Sequence, residues 1–167
     1  MCDSLLAYFD TDTVLFHEEE PAQLVRLQQE RWLPLIEWAS TRFAPNGAEN
    51  GQGERIAVYT SLFNNSQPPA IRQALQRRIE QLDPLPLAAF ERAVLSSKSF
   101  LIALGLLEGR LSVEEASAAA EVEVASQIER WGEVEDSHDV DFQELRRQMG
   151  SVALVLMAPA SLPSAPA

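Results

Sequence analysis

Pro86-Leu87-Ala88-Ala89-Phe90-Glu91-Arg92-Ala93-Val94-Leu95-Ser96-Ser97-Lys98-Ser99-Phe100-Leu101-Ile102-Ala103-Leu104-Gly105-Leu106-Leu107 is the stretch that decides the fold. Phe90, Val94, Leu101 and Leu104 recur on one side of a helix, and Leu95, Ile102 and Leu106 form a second line. A surface helix carries one apolar stripe. A helix apolar this far round is covered on more than one side and belongs at the centre of a bundle. Gly109 marks its end. Ser112-Val113-Glu114-Glu115 then places a serine three residues before a glutamate, a capping box that starts another helix.

Working outward, that next helix carries Val113, Ala116, Ala120, Val124, Ile128 and Trp131 and stops at Gly132. The last helix covers roughly 139–157, with Phe142, Leu145, Met149, Val152 and Leu156 on one stripe. On the N-terminal side, Ile71, Leu75, Ile79 and Leu82 define a helix that begins near Pro68-Pro69 and ends before Pro84. A long helix opens at Glu18-Glu19-Glu20-Pro21, where acids suit the positive helix end and proline suits the first turn. It continues through Trp38, and Pro34 within it predicts a kink or a split. Ser4 to Phe9 reads as further helix, and Asp10-Thr11-Asp12-Thr13 as a loop rich in capping oxygens. The glycine- and asparagine-rich stretch 46–53 reads as a mobile loop, and 55–61 as a short extended segment. The expectation is therefore all-α: a five- to six-helix bundle over 1–157, followed by a disordered Ala/Pro/Ser-rich tail over 158–167.

Composition limits the function classes. The 167 residues hold 46% hydrophobic side chains, the level of a packed domain, and suffice for one sizeable core. The formal charge of −12 repels phosphate backbones and anionic membrane surfaces, so neither nucleic acid nor membrane is an expected partner. Cys2 is the single cysteine, so no internal disulfide forms. No apolar run approaches the roughly 20 residues that span a bilayer. The cations are twelve arginines and one lysine, Lys98.

Three groups could carry chemistry. Glu133, Glu135, Asp136 and Asp139 crowd around His138 behind Trp131, and a carboxylate beside an imidazole can tune it. The structural use of the same residues is Asp139 as a helix cap, with His138 packed beside Trp131. Asp10 and Asp12 could ligate a hard cation, or accept hydrogen bonds from backbone amides. Lys98, within the most apolar helix, either snorkels to the surface or meets a buried acid. Glu123, on a stripe with Ala116, Ala119, Ala120, Gln127 and Trp131, is the acid expected to pair with it in the core. No phosphate loop, nucleophile triad or metal-ligand spacing stands out, so no catalytic, cofactor-binding or metal residue is assigned.

Three stretches together carry a resemblance. They are Leu5-Leu6-Ala7-Tyr8-Phe9-Asp10-Thr11-Asp12-Thr13 with Trp32-Leu33-Pro34-Leu35-Ile36-Glu37-Trp38-Ala39; Lys98 with Leu104-Gly105-Leu106-Leu107 and Leu111-Ser112-Val113-Glu114-Glu115-Ala116; and Glu123, Gln127-Ile128 and Trp131-Gly132 through His138-Asp139. In order and spacing the chain resembles the chaperone family that assembles the catalytic head of the mitochondrial ATP synthase. Members of that family are similar to a β-rich N-terminal domain followed by a helical one, and this chain resembles the helical part, without the β-rich domain. The resemblance implies an assembly chaperone rather than an enzyme: a monomer in the mitochondrial matrix, without cofactor, that holds the unassembled alpha subunit until it joins the beta subunit. Its client surface is expected at Trp131, Glu133, Glu135 and Asp136. The alternative is a small acidic metal-dependent enzyme using Asp10, Asp12, His138 and Asp139.

Overall fold

A computed structural model describes residues 2–44, 54–61, 65–133 and 135–157, the side chains of 135–139 excepted. The stretch 46–53 and the tail 158–167 lie outside the described residues, and with them the expectations of a mobile loop and a disordered tail. Within the described residues the fold is all-α, and no strand forms. The helices are α1 (Cys2–Asp10), α2 (Ala22–Leu27), α3 (Leu33–Phe43), α4 (Pro69–Glu80), α5 (Pro84–Ser97), α6 (Phe100–Leu107), α7 (Val113–Ala120), α8 (Val122–Trp131) and α9 (Glu135–Met157). A short 3-10 turn occupies Thr13–Leu15, and a π turn, Gln28–Trp32, joins α2 to α3.

Among the described residues nine α-helical segments stand where the periodicity predicts five or six helices, because three expected helices are jointed. The first joint is the π turn. Pro34 has no N–H for the carbonyl one turn back, and the Leu33 N–H reaches five residues back to the Gln28 carbonyl. The second joint corrects the expected single helix over 86–107. Lys98 adopts the left-handed conformation (φ 55°, ψ 26°), and Ser99 starts α6 by accepting a hydrogen bond from the Ile102 N–H. The cause is local: the Ser97 hydroxyl donates to the Ala93 carbonyl at 2.8 Å and the Ser99 carbonyl at 3.1 Å, competing with the helical ladder. The third joint is Glu121, between α7 and α8. The break leaves C-terminal carbonyls of α7 open. The Arg31 guanidinium donates to the Ala118 carbonyl at 2.9 Å, and the Trp32 indole N–H to the Ala119 carbonyl at 2.7 Å.

α6 is the centre of the molecule, as its two apolar lines predict. Phe100 through Leu106 are all buried, against α1, α3, α5, α7 and α9. Phe100 packs between Phe9 of α1 (5.8 Å between ring centroids) and Phe90 of α5 (5.2 Å, edge to face). Leu111 and Leu35 close directly over Gly105: a Cβ there would lie 2.8 Å from Leu111 Cδ1 and 3.0 Å from Leu35 Cδ1. α6 ends as expected at Gly109 (φ 66°): the Arg110 N–H bonds the Gly105 carbonyl and the Gly109 N–H the Leu106 carbonyl, the paired closure of a Schellman motif. The capping box at Ser112 and Glu115 is formed in both directions.

Residues 54–61 run without helix alongside the 3-10 turn, bridging once at Phe16 and Tyr59: the Tyr59 N–H donates to Leu15 and the His17 N–H to Tyr59. Buried Gln67 gives the segment a second edge. Its side-chain amide accepts from the Ala57 N–H and donates to the Ala57 carbonyl, both at 2.9 Å. α9 runs mainly along α5 and α7, burying Met149 and Val152 of its expected stripe.

Candidate functional site

α8 sits at the edge of the bundle, packed chiefly on α2. Only Val122 and Ser126 of its ten residues are buried, so the helix presents most of its circumference as a ridge. The joint at Glu121 explains why. A continuous helix would carry the core stripe of Ala116 on through Val124 and Ile128. The break resets the rotation, and Val124 emerges 36% exposed. Arg26 of α2 anchors the ridge, its guanidinium reaching Glu129 at 2.7 Å and Glu30 at 2.9 Å. These carboxylates raise the Arg26 pKa, but all three groups are exposed, so the pairs fix geometry more than they add stability.

Trp131 is the last residue of α8 and is 70% exposed, with the Arg130 guanidinium over its ring at 4.9 Å. The packing of Trp131 into the core that its stripe suggests does not occur. Gly132 (φ 87°) turns the chain away. Glu133 follows on the surface. Glu135 and Asp136 fall in the first turn of α9, with side chains outside the described residues, as are those of His138 and Asp139.

The ridge separates two hollows. Toward α2, about 280 Å³ is lined by Pro21, Leu24, Glu18, Glu123, Gln127 and Trp131, among others. Toward α9, about 350 Å³ is lined by Val124, Ala125, Ile128, Phe142, Glu133 and Asp141, with Arg31, Ala118 and Glu121. The structure therefore divides the expected client cluster: Trp131 faces one hollow and Glu133 the other. The apolar lining of both, from Pro21, Leu24, Val124, Ile128 and Phe142, is not legible as a site, since Leu24, Val124, Ile128 and Phe142 fit core stripes by spacing and Pro21 reads as a first-turn proline.

The buried Lys98–Glu123 pair is not formed. Lys98 lies exposed at the joint of α5 and α6, Glu123 lies exposed on α8, and no ion pair joins them. The left-handed turn carries Lys98 out of the helix line that would have buried it. Asp10 pairs instead with Arg72 of α4 at 3.2 Å. Asp12 is fully buried, and its two oxygens accept from the Val14 N–H at 3.0 Å and the Leu101 N–H at 2.9 Å. Burial pushes its pKa up to about 6, with the bonds to backbone and to Ser99 opposing the shift. Of the two uses expected for these aspartates, Asp12 thus serves the backbone. Among the described residues no three His, Cys, Asp or Glu side chains are grouped to hold a metal ion.

Comparison with known proteins places this geometry. Residues 1–40 match the family described as ATP12 chaperone protein. The chain is 30% identical over 157 residues to Protein atp12, mitochondrial, of Schizosaccharomyces pombe, an alignment covering 90% of this chain and 51% of that protein. It is 31% identical over 168 residues to Protein ATP12, mitochondrial, of Saccharomyces cerevisiae, covering 91% of this chain and 52% of that protein. The crystal structure of Atp12 from Paracoccus denitrificans superposes with a TM-score of 0.78 at 26% identity, covering 93% of this chain and 62% of that one. The chain spans about half the length of the curated relatives it matches.

Proposed function

We propose that this chain is a member of the ATP12 chaperone family, a reading supported by its similarity to that family's model and to the two curated relatives, and that it is an assembly chaperone that binds the unassembled alpha subunit of the ATP synthase catalytic head and shields it until it joins the beta subunit. The observation that carries the reading is the α8 ridge, where Trp131 stands exposed between two largely apolar hollows on an acidic molecule. An unassembled ring subunit exposes apolar surface that its neighbours later cover, and such patches aggregate. A partner that covers one reversibly needs an apolar anchor, and tryptophan is among the side chains most often found in that role. It also needs charge to speed encounter and to reject wrong partners, and the acids Glu133, Glu135 and Asp136 supply it toward a basic client face. The reading calls for no catalytic residue and no cofactor. It places the protein, as a monomer, in the mitochondrial matrix; the two curated relatives are both named as mitochondrial.

Capture of purified alpha subunit by the immobilised chain, with beta subunit as control, tests the reading. The parent retains alpha and suppresses its aggregation. Trp131→Ser weakens retention about tenfold, the effect of losing roughly 1.4 kcal/mol. Glu133→Lys combined with Glu135→Lys weakens it further. Equal retention by the parent and the charge-reversed chain would remove the acids from the site, and failure of the parent to retain alpha would remove the function.

A further inference from the structure

Resting on that reading, we propose that the hollow between α8 and α9 receives a client segment that places an apolar side chain next to an arginine or lysine. Val124, Ala125, Ile128 and Phe142 supply its apolar lining, and Glu133 and Asp141 line the same space. Arg31 also borders it, but its guanidinium is tied to the Ala118 carbonyl, capping α7. Among the described lining residues, the Glu133 and Asp141 carboxylates thus border a space that holds one cation, Arg31. An apolar guest alone would strip water from these carboxylates without replacing it, which costs free energy. A guest that brings its own cation satisfies them, and its apolar neighbour covers Val124. The volume, about 350 Å³, lies at the low end of the ~300–1,000 Å³ range of sites that enclose small ligands, which suits one or two side chains rather than a whole helix. A second copy of this chain is a poor guest, since each copy carries a formal charge of −12.

Short fluorescent peptides that differ only at one dipeptide, Leu-Arg, Leu-Glu or Ser-Arg, test this by anisotropy against the chain and its Val124→Asn and Asp141→Asn variants. Both positions are exposed, and the thermal melt of each variant verifies its fold. The parent binds the Leu-Arg peptide and discriminates about tenfold against each of the others. Val124→Asn weakens the Leu-Arg peptide several-fold while preserving its advantage over Leu-Glu, and Asp141→Asn shrinks that advantage. Equal binding of Ser-Arg and Leu-Arg, unchanged binding by both variants, or a dimer in sedimentation that blocks the peptide would overturn the proposal. Alpha-subunit capture by the parent, run in parallel, separates the two readings: capture without peptide discrimination sinks the hollow alone, and loss of capture sinks the function.

Discussion

Asp12 shows how much one side chain can be asked to do in this chain. Its carboxylate closes the 3-10 turn through the Val14 N–H and the first turn of α6 through the Leu101 N–H. It ties the N-terminal helix to the central one. That it would serve amides was readable from the Asp-Thr-Asp-Thr loop. Which helix it would serve was not, because Leu101 lies 89 residues away and only packing brings it near. The cost is a buried charge, seen in a pKa raised from 3.8 to about 6. A carboxyl whose native pKa exceeds its unfolded value binds protons more readily when folded. Its contribution to stability therefore falls as pH rises from about 4 to about 6 and is flat above. The full change is about 3 kcal/mol for a shift of that size. Urea titrations of the parent and Asp12→Asn across that window check the sign. The advantage of the parent over the variant is larger at pH 4 than at pH 7, and a gap that stays constant or widens with pH contradicts the assignment. Comparing the two chains cancels carboxylates such as Glu144, whose pKa is lowered to about 2 by Arg147 and Gln148.

At the scale of elements, the joints are what periodicity missed. The central position of α6 followed from its two apolar lines, and its end from Gly109. The break at Lys98 was hidden because the apolar spacing continues across it, and only the run Ser96-Ser97-Lys98-Ser99 hints at competing hydrogen bonds. Glu121 hides in the same way, so spacing alone puts Val124 and Trp131 on a stripe that the break ends. Lys98 gives a direct test. It holds a left-handed conformation that costs a residue bearing a Cβ about 1 kcal/mol and that glycine adopts freely. Lys98→Gly is expected to raise the thermal midpoint by a few degrees, an effect of about 0.5–1 kcal/mol. Lys98→Met leaves the midpoint near the parent value, because no buried partner is lost. A marked loss with methionine would mean that the ammonium group holds the joint.

For the molecule as a whole, the formal charge of −12 acts over distances longer than any contact described above. Capture of a basic client face should therefore weaken as salt shortens the screening length from ~10 Å at 0.1 M toward ~3 Å at 1 M. Stopped-flow association at increasing NaCl checks this. The on-rate falls several-fold, while dissociation, governed by apolar contact at Trp131, changes little. An on-rate indifferent to salt would assign recognition to shape alone. The capping of α7 by Arg31 and Trp32 bears on the same surface. These side chains stand 87 residues before the carbonyls they hold, and those carbonyls lie just ahead of the ridge. The bearing of the ridge is thus set from outside it, like a rudder steered from the bow. A fragment starting after α3 would keep every letter of α8 and lose the heading that aims it.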